Sequence, residues 1–288
     1  MFMKFGDQIP NSFDLSSLRL LGTVGEPINP EVWKWYYKVI GKEKCPIIDT
    51  WWQTETGGMM ISSLPGLETI PLKPGSGTLP IPGVEISVVD EFGSEVPPNT
   101  KGYLIIRNPW PGMLQTLWGD DEKYKTVYWS KYVDCYYAGD YALKDGDGYF
   151  WILGRADDVL KIAGHRIGTA ELESCIVSNH NVAESAVCGI PDEIKGDVII
   201  AFVVLKENIS IDKAILEKDL FNQIRNDIGA IATPKKIYFV PKLPKTRSGK
   251  IMRRLLKSIG SGDSVGDTST LDDISAVTEI QKIVEEKS

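Results

Sequence analysis

The sequence predicts an α/β layer, then a β-barrel-like subdomain, then a small α+β domain at the C-terminal end. Three observations over the 288 residues predict it. Residues 1–65 mix helix and strand signals, with apolar strands running into polar loops, the grammar of a sheet that takes ligands at its strand carboxyl ends. Residues 66–156 crowd Pro and Gly between segments of period-two alternation. Residues 157–288 return to alternating helices and strands, compact enough for one α+β unit.

Taken in order, residues 1–22 read as a helix leading into the apolar Leu18–Gly22. Asn29 is a good cap and Pro30 suits a first helical position, so a helix runs from Glu31 to Ile40, with Val32, Tyr36 and Val39 or their neighbours inside, and Gly41 ends it. Pro46–Trp52 is a short strand entering the polar loop Gln53–Gly58. Strands follow at Val84–Asp90 and Gly102–Arg107. A Gly/Asp turn at Lys144–Gly148 then joins Tyr141–Leu143 to Tyr149–Leu153. A calcium loop there would need acids where Leu143 and Gly154 stand, so that reading fails.

Beyond Asp157, Thr169 is expected to cap a helix through Glu171–Ser178, and strands follow at Glu184–Ile190 and Val198–Leu205. The helix Asp212–Ile228 carries Ile215, Leu216, Leu220, Ile224 and Ile228 on one face, and a last strand covers Lys236–Val240. Pro241–Lys257 holds seven Lys/Arg and no acid. Gly260–Ser288 holds seven Asp/Glu against two Lys and reads as a solvated acidic tail.

Composition bounds the function. A hydrophobic share of 42% with 25% charge is that of a globular chain with a real core. No apolar run is long enough to span a bilayer, the first residues lack a signal-peptide pattern, and the four cysteines are scattered. These features predict a cytoplasmic protein with reduced thiols and no membrane partner. A net charge of −7 argues against general nucleic-acid binding, and the basic stretch lacks the aromatic interleaving of a nucleic-acid patch. Two histidines and no G-x-S-x-G leave little for a zinc site or a hydrolase triad.

The motifs that remain concern nucleotides and anions. Gly139-Asp140 is a carboxylate beside a glycine at a strand end, suited to ribose hydroxyls, and Arg155 lies across a hairpin from it; a turn-capping Asp is the commoner cause. Pro244–Lys250 is not a Walker A motif, since Pro244 stands at its first glycine and no Ser/Thr follows Lys250. A lysine after a flexible Ser-Gly in a positive field nonetheless suits a carboxylate or phosphate. Trp51-Trp52 runs into Gln53-Thr54-Glu55, where Thr54 could meet a phosphate and Glu55 a Mg²⁺. A tryptophan pair is otherwise a core feature.

Together, Val24–Pro30, Asp49–Gly58, Gly139-Asp140, Gly154–Leu160, Gly164–Glu171 and Pro244–Arg254 stand in the order found in the acyl-adenylate-forming, ATP-dependent AMP-binding enzymes, and the chain resembles them, most of all their AMP-forming acetyl-CoA synthetases. The resemblance covers the C-terminal portion of that family's pattern. The Ser/Thr/Gly/Lys-rich loop for the β- and γ-phosphates is missing, so the expected fold is the adenylate-forming enzyme fold without its N-terminal part. A truncated product, a split-gene half or a fragment would each look like this.

The resemblance implies an acetate–CoA ligase working through acetyl-adenylate, inactive as this chain alone, or a non-catalytic nucleotide- and CoA-binding half that assembles with a separate N-terminal chain. A homo-oligomer is a further expectation. It implies ATP/AMP, coenzyme A and Mg²⁺ as ligands, and acetate or propionate as acyl donor. Gly25, Glu26, Pro27, Asp49, Thr50, Trp51, Trp52, Gln53, Thr54, Asp140, Arg155 and Arg166 would bind the nucleotide, with Lys250 catalytic. Val24 and Trp52 would wall the acyl pocket, and Ala163, Gly164 and Arg225 would serve coenzyme A. Asp157 would be a hinge and Glu55 the Mg²⁺ ligand. The family's backbone cation site at Val177 and Val182 is put in doubt by Asn179, which stands where a His is expected, with His180 one place late.

Overall fold

A computed structural model describes residues 2–162, 165–192, 196–207 and 209–287. The chain divides into two compact units, Leu15–Asp157 and Asp158–Ser288, the latter joined by the residues up to Asp14.

The expected N-terminal helix is broken into a 3₁₀ turn, Phe2–Phe5, and a single α turn, α1 (Gln8–Asn11). Gly6, at φ +76, interrupts it, because that left-handed conformation cannot continue a helix. Leu18–Gly22 is not helical either, and feeds strand β1 (Leu21–Thr23).

In the unit Leu15–Asp157, α2 (Pro30–Trp35) starts at Asn29, whose side-chain oxygen accepts from the Glu31 amide at 2.8 Å. It continues as one π turn, Tyr36–Ile40, and buries Trp33 and Val39. Strand β2 (Ile47–Trp52) lies parallel to β1, and β3 (Met59–Ser62) antiparallel to β2. Strands β4 (Ile86–Val89) and β5 (Lys101–Ile106), helix α3 (Asp121–Tyr128), and strands β6 (Tyr136–Lys144) and β7 (Phe150–Arg155) follow. The four strands form an antiparallel meander in sequence order.

The Pro/Gly-rich segment 76–81 ties this meander to the first sheet. Gly77 donates to the Phe150 carbonyl at 3.0 Å on one side, and Ser62 to the Leu79 carbonyl at 3.1 Å on the other. The β-rich region thereby has its two sheets bridged through this segment. Its core holds Trp51, Met60, Leu104, Tyr136 and Phe150. In the Asp145–Gly148 turn, Asp145 and Asp147 both hold the Lys73 ammonium, so the acidic loop is neutralised by a lysine of its own unit.

In the other unit, the hairpin of β8 (Leu160–Ile162) and β9 (His165–Ile167) precedes α4 (Thr169–Val177). Thr169 does not cap α4. It is a buried first helical residue, and Gly168 takes the extended position before it. Strands β10 (Val182–Asp192) and β11 (Gly196–Leu205) form a long antiparallel pair. Helix α5 (Lys213–Asp227) is capped by Asp212 and buries Leu216, Leu220 and Ile224. Ile215, expected on that face, is 57% exposed, because it sits about 100° around the helix from the stripe. Strand β12 (Lys236–Phe239) runs parallel to β11. Helices α6 (Arg253–Ser261) and α7 (Ser275–Glu286) close the unit. The tail is therefore not merely solvated: Val277, Ile280 and Val284 of α7 enter a core with Phe202, Leu255 and Leu256.

Candidate functional site

Strands β1 and β2 are parallel neighbours, with Thr23 opposite Asp49. The loops leaving their carboxyl ends are Val24–Pro27 and Trp52–Glu55, which is where an α/β sheet takes ligands. Val24 and Trp52, the expected acyl-pocket walls, are 57% and 46% exposed. Asp49 is buried beneath them, and loss of hydration pushes its carboxyl up to about 7, against the lowering effect of the Thr50 amide. Thr50 shares a 3.0 Å hydrogen bond with the Ser62 hydroxyl.

Asp140 anchors the polar centre. It sits in β6, directly opposite Arg155 of β7. The buried Trp51 indole N–H donates to Asp140 Oδ2 at 3.0 Å, and the Gln53 amide donates to the same oxygen at 2.8 Å and to the Ala138 carbonyl at 2.7 Å. Arg155 reaches Asp140 Oδ1 at 3.4 Å and the Ala138 carbonyl at 3.1 Å. Gly139 has φ +68, and a Cβ there would lie 2.5 Å from the guanidinium, so glycine is what lets Arg155 close over this irregular point of β6. The Trp51 of the tryptophan pair is thus both core and site: its ring packs in the core while its N–H holds Asp140.

Sequence reasoning missed two tyrosines. Tyr136 donates to Gln53 Oε1 at 2.8 Å, and Tyr128 donates to Glu55 Oε1 at 2.8 Å. Their rings stack at 5.5 Å. Burial, and then the Glu55 carboxylate, push the Tyr128 hydroxyl up to about 12, so it stays a donor. Nothing local in the sequence signals these pairs, which span more than 70 residues. Glu55 is half-buried, with one oxygen accepting from Tyr128, and follows the exposed Thr54 in the chain. One carboxylate next to a phosphate site is the donor set Mg²⁺ uses when nucleotide phosphates and water complete its shell. The residues fit that ion. Among the described residues no cluster of three or more acidic, His or Cys side chains could hold a metal without such help.

Glu26 is half-buried in the first loop, flanked by the exposed Gly25 and Pro27. Asp157, the expected hinge, is 81% exposed in its side chain and 3.7 Å from Arg155 Nε. It is also the last residue of its unit.

The other unit carries the remaining expected residues. Lys250 is exposed at the end of a tight turn: Thr246 N donates to the Lys250 carbonyl at 2.8 Å, and Lys250 N to Thr246 Oγ1 at 3.1 Å. Arg166 is exposed on β9 and Arg225 on the last turn of α5. Ala163 and Gly164 lie outside the described residues. Val177 ends α4 and Val182 starts β10. Between them Asn179 Oδ1 accepts from Asn181 N at 3.1 Å in a closed turn, so this side chain serves the backbone where a His was expected.

A parallel strand pair with its ligand loops, a β meander supplying a buried aspartate and an arginine, and a separate α+β unit bearing an exposed lysine define the class of adenylate-forming enzymes. The chain belongs to the AMP-binding enzyme family: that family's model matches residues 1–118, and the model of the AMP-binding enzyme C-terminal domain matches 171–250. The chain is 56% identical over 286 residues to an acetyl-coenzyme A synthetase of Pyrobaculum aerophilum and 51% identical over 282 residues to that of Chlorobaculum tepidum. The alignments cover 99% and 98% of this chain, and 42% of each relative's length.

Among solved structures, an anthranilate CoA ligase in complex with anthranoyl-AMP superimposes with a TM-score of 0.75 at 32% identity, over 86% of this chain and 45% of that one. An acetoacetyl-CoA synthetase from Streptomyces lividans gives a TM-score of 0.78 over 96% of this chain and 42% of the other. At 22% identity it speaks for the fold alone.

Proposed function

We propose that the chain carries the C-terminal part of an AMP-forming acetate–CoA ligase. In this reaction acetate attacks the α-phosphorus of ATP, giving acetyl-adenylate and diphosphate. The thiol of coenzyme A then attacks the acetyl carbonyl and releases AMP. The observation that carries the reading is Asp140, a buried carboxylate whose hydrogen-bond donors fix it beside an arginine at a strand end. A carboxylate oriented by such donors can accept hydrogen bonds from ribose hydroxyls. The family membership supports the same assignment, and the identity to acetyl-coenzyme A synthetases supports acetate as the acid.

In this reading Gly25, Glu26, Pro27 and Asp49–Thr54 line the base and α-phosphate, and Arg166 meets phosphate. Glu55 holds Mg²⁺, which would neutralise phosphate charge when bound. Lys250 lies between the carboxylate and the α-phosphate, stabilising charge as it develops in the adenylation transition state. The Trp52 indole shortens the acyl pocket to two or three carbons, so propionate is the acid most able to compete with acetate. Ala163, Gly164 and Arg225 serve coenzyme A, and Asp157 is the pivot between the half-reactions. A cytoplasmic location suits these soluble substrates, and no helix among the described residues is long and apolar enough to cross a membrane.

The test separates the half-reactions in a protein of the relatives' full length. Lys250→Gln should abolish acetate-dependent ATP–diphosphate exchange while leaving thioester formation from supplied acetyl-adenylate largely intact. Equal loss of both would sink the assignment.

The chain spans about two-fifths of the length of the curated relatives it matches. A second reading is a nucleotide- and CoA-binding half that acts only with a separate N-terminal chain. This chain alone should then show little acetate-dependent exchange, and adding the complementary portion should restore it.

A further inference from the structure

Lys250 is useful to the proposed chemistry only if its backbone is held. A lysine reaches its target on a flexible four-carbon stem, and a site loose by about an ångström loses most of its effect. The turn that carries Lys250 has exposed residues at its tip, Arg247–Lys250, and Gly249 at φ +88. Its stability has to come from its base.

Three fastenings meet there. The outgoing strand is pinned by Arg253, which grips Glu173 with Nε at 3.1 Å and a terminal nitrogen at 2.8 Å, both side chains largely buried. The incoming strand is pinned by Lys245, whose ammonium meets Glu184 at 2.5 Å. Burial alone would raise the Glu184 carboxyl; Lys245 acts against that, and on balance the carboxyl is lowered. The third fastening comes from the segment that sequence composition assigned to a solvated tail. Thr246 pairs with Leu271 as an antiparallel bridge, and the Asp272 N–H donates to the Lys245 carbonyl at 2.9 Å. With the Lys245–Ile251 bridge, the turn becomes the centre of a small three-stranded patch. Lys242 locks the tail one step further on, bonding Asp273 and Ser275 at 2.5 Å each.

We propose that this tail segment is a positioning element for Lys250, acting through the backbone N–H of Asp272 and the buried Leu271. The inference rests on the reading of Lys250 above, and its test keeps the two apart. Asp272→Pro removes the N–H, together with the fixed φ and ring crowding that proline brings, and Asp272→Ala controls separately for loss of the exposed side chain. Amide exchange on this chain is the first readout. The Thr246, Gly249 and Lys250 amides should exchange about five- to tenfold faster, the effect of about one lost backbone hydrogen bond, while the β10–β11 ladder stays protected. Asp272→Ala, which restores the N–H, should rescue wild-type protection.

In the full-length protein, Asp272→Pro should lower kcat for adenylation with KM for acetate unchanged, and should spare thioester formation from acetyl-adenylate. Unchanged exchange at the turn, failure of Asp272→Ala to rescue, or equal loss of both half-reactions would overturn the proposal. Should Asp272→Pro unfold the unit, Lys242→Met asks the same question without touching the backbone: the turn's amides must still exchange faster, or the tail does not hold them. If Lys250→Ala leaves adenylation intact, the catalytic reading of Lys250 falls, and the exchange data still decide whether the tail holds the turn.

Discussion

Asp49 is a carboxylate that folding places where water cannot reach it. Its folded value of about 7 lies above the 3.8 of a free aspartate. The unfolded chain therefore ionises first as pH rises, and the native state is progressively penalised between about pH 4 and pH 7, by a few kcal/mol in all. Asp49→Asn removes that dependence. The variant should gain little stability at pH 4 and most at pH 8, read by urea unfolding at each pH, and an equal gain at both would contradict the burial argument. Gly139→Ala tests the irregular backbone beside Asp140 in β6. Its methyl group must displace the Arg155 guanidinium and accept a left-handed backbone. AMP affinity should fall about tenfold, with a loss of about 1 kcal/mol in stability, as isothermal calorimetry and denaturation would show. Asp140 and Arg155 were legible as candidates from glycine and charge, but Gly139-Asp140, expected at a strand end, lies inside β6 at a break in its register. Tyr128 and Tyr136 were not legible, since their partners are chosen by the folded sheet.

At the scale of elements, periodicity located most strands within a few residues, and it missed where packing decides. Helix α2 was expected from Asn29 and Pro30 and forms there with that cap. In α5 the apolar face runs through Leu216, Leu220 and Ile224 and leaves Ile215 outside, because Ile–Leu adjacency in sequence says nothing about which of the two turns inward. The C-terminal tail misled through its charge. Acids outnumber lysines across Gly260–Ser288, yet Ala276, Val277, Ile280 and Val284 fall at helical spacing and make one apolar stripe. Ile280 is fully buried by it. Ile280→Ala should cost about 2–5 kcal/mol in chemical denaturation. A loss under about 0.5 kcal/mol would mean that α7 adds nothing to the core. Because α7 follows directly on Leu271–Asp273, the same loosening should reach the Lys250 turn.

At the scale of the whole molecule, the hydrophobic clusters of the described residues respect the division after Asp157. The cluster of Phe202, Leu255 and Ile280 takes all its residues from beyond Asp157, and the cluster of Trp51, Leu104 and Phe150 takes all of its own from Leu15–Asp157. The boundary between the units falls after Asp157, and the grouping of the residues up to Asp14 with the C-terminal unit had no local signal in sequence. Hydrophobic cores that share no residues unfold as separate cooperative units unless something else couples them. A protease site inserted after Asp157 tests this directly. After cleavage, thermal unfolding should still show both transitions, because neither core has lost a member. The Trp51 indole N–H resonance should persist, since its acceptor Asp140 lies in the same unit. On the role proposed for Lys250, which belongs to the unit beyond the cut, the full-length protein cut at the same place should keep AMP binding but lose adenylation. Collapse of either transition on cleavage would show that the units are one cooperative body, and Asp157 could then not serve as a pivot.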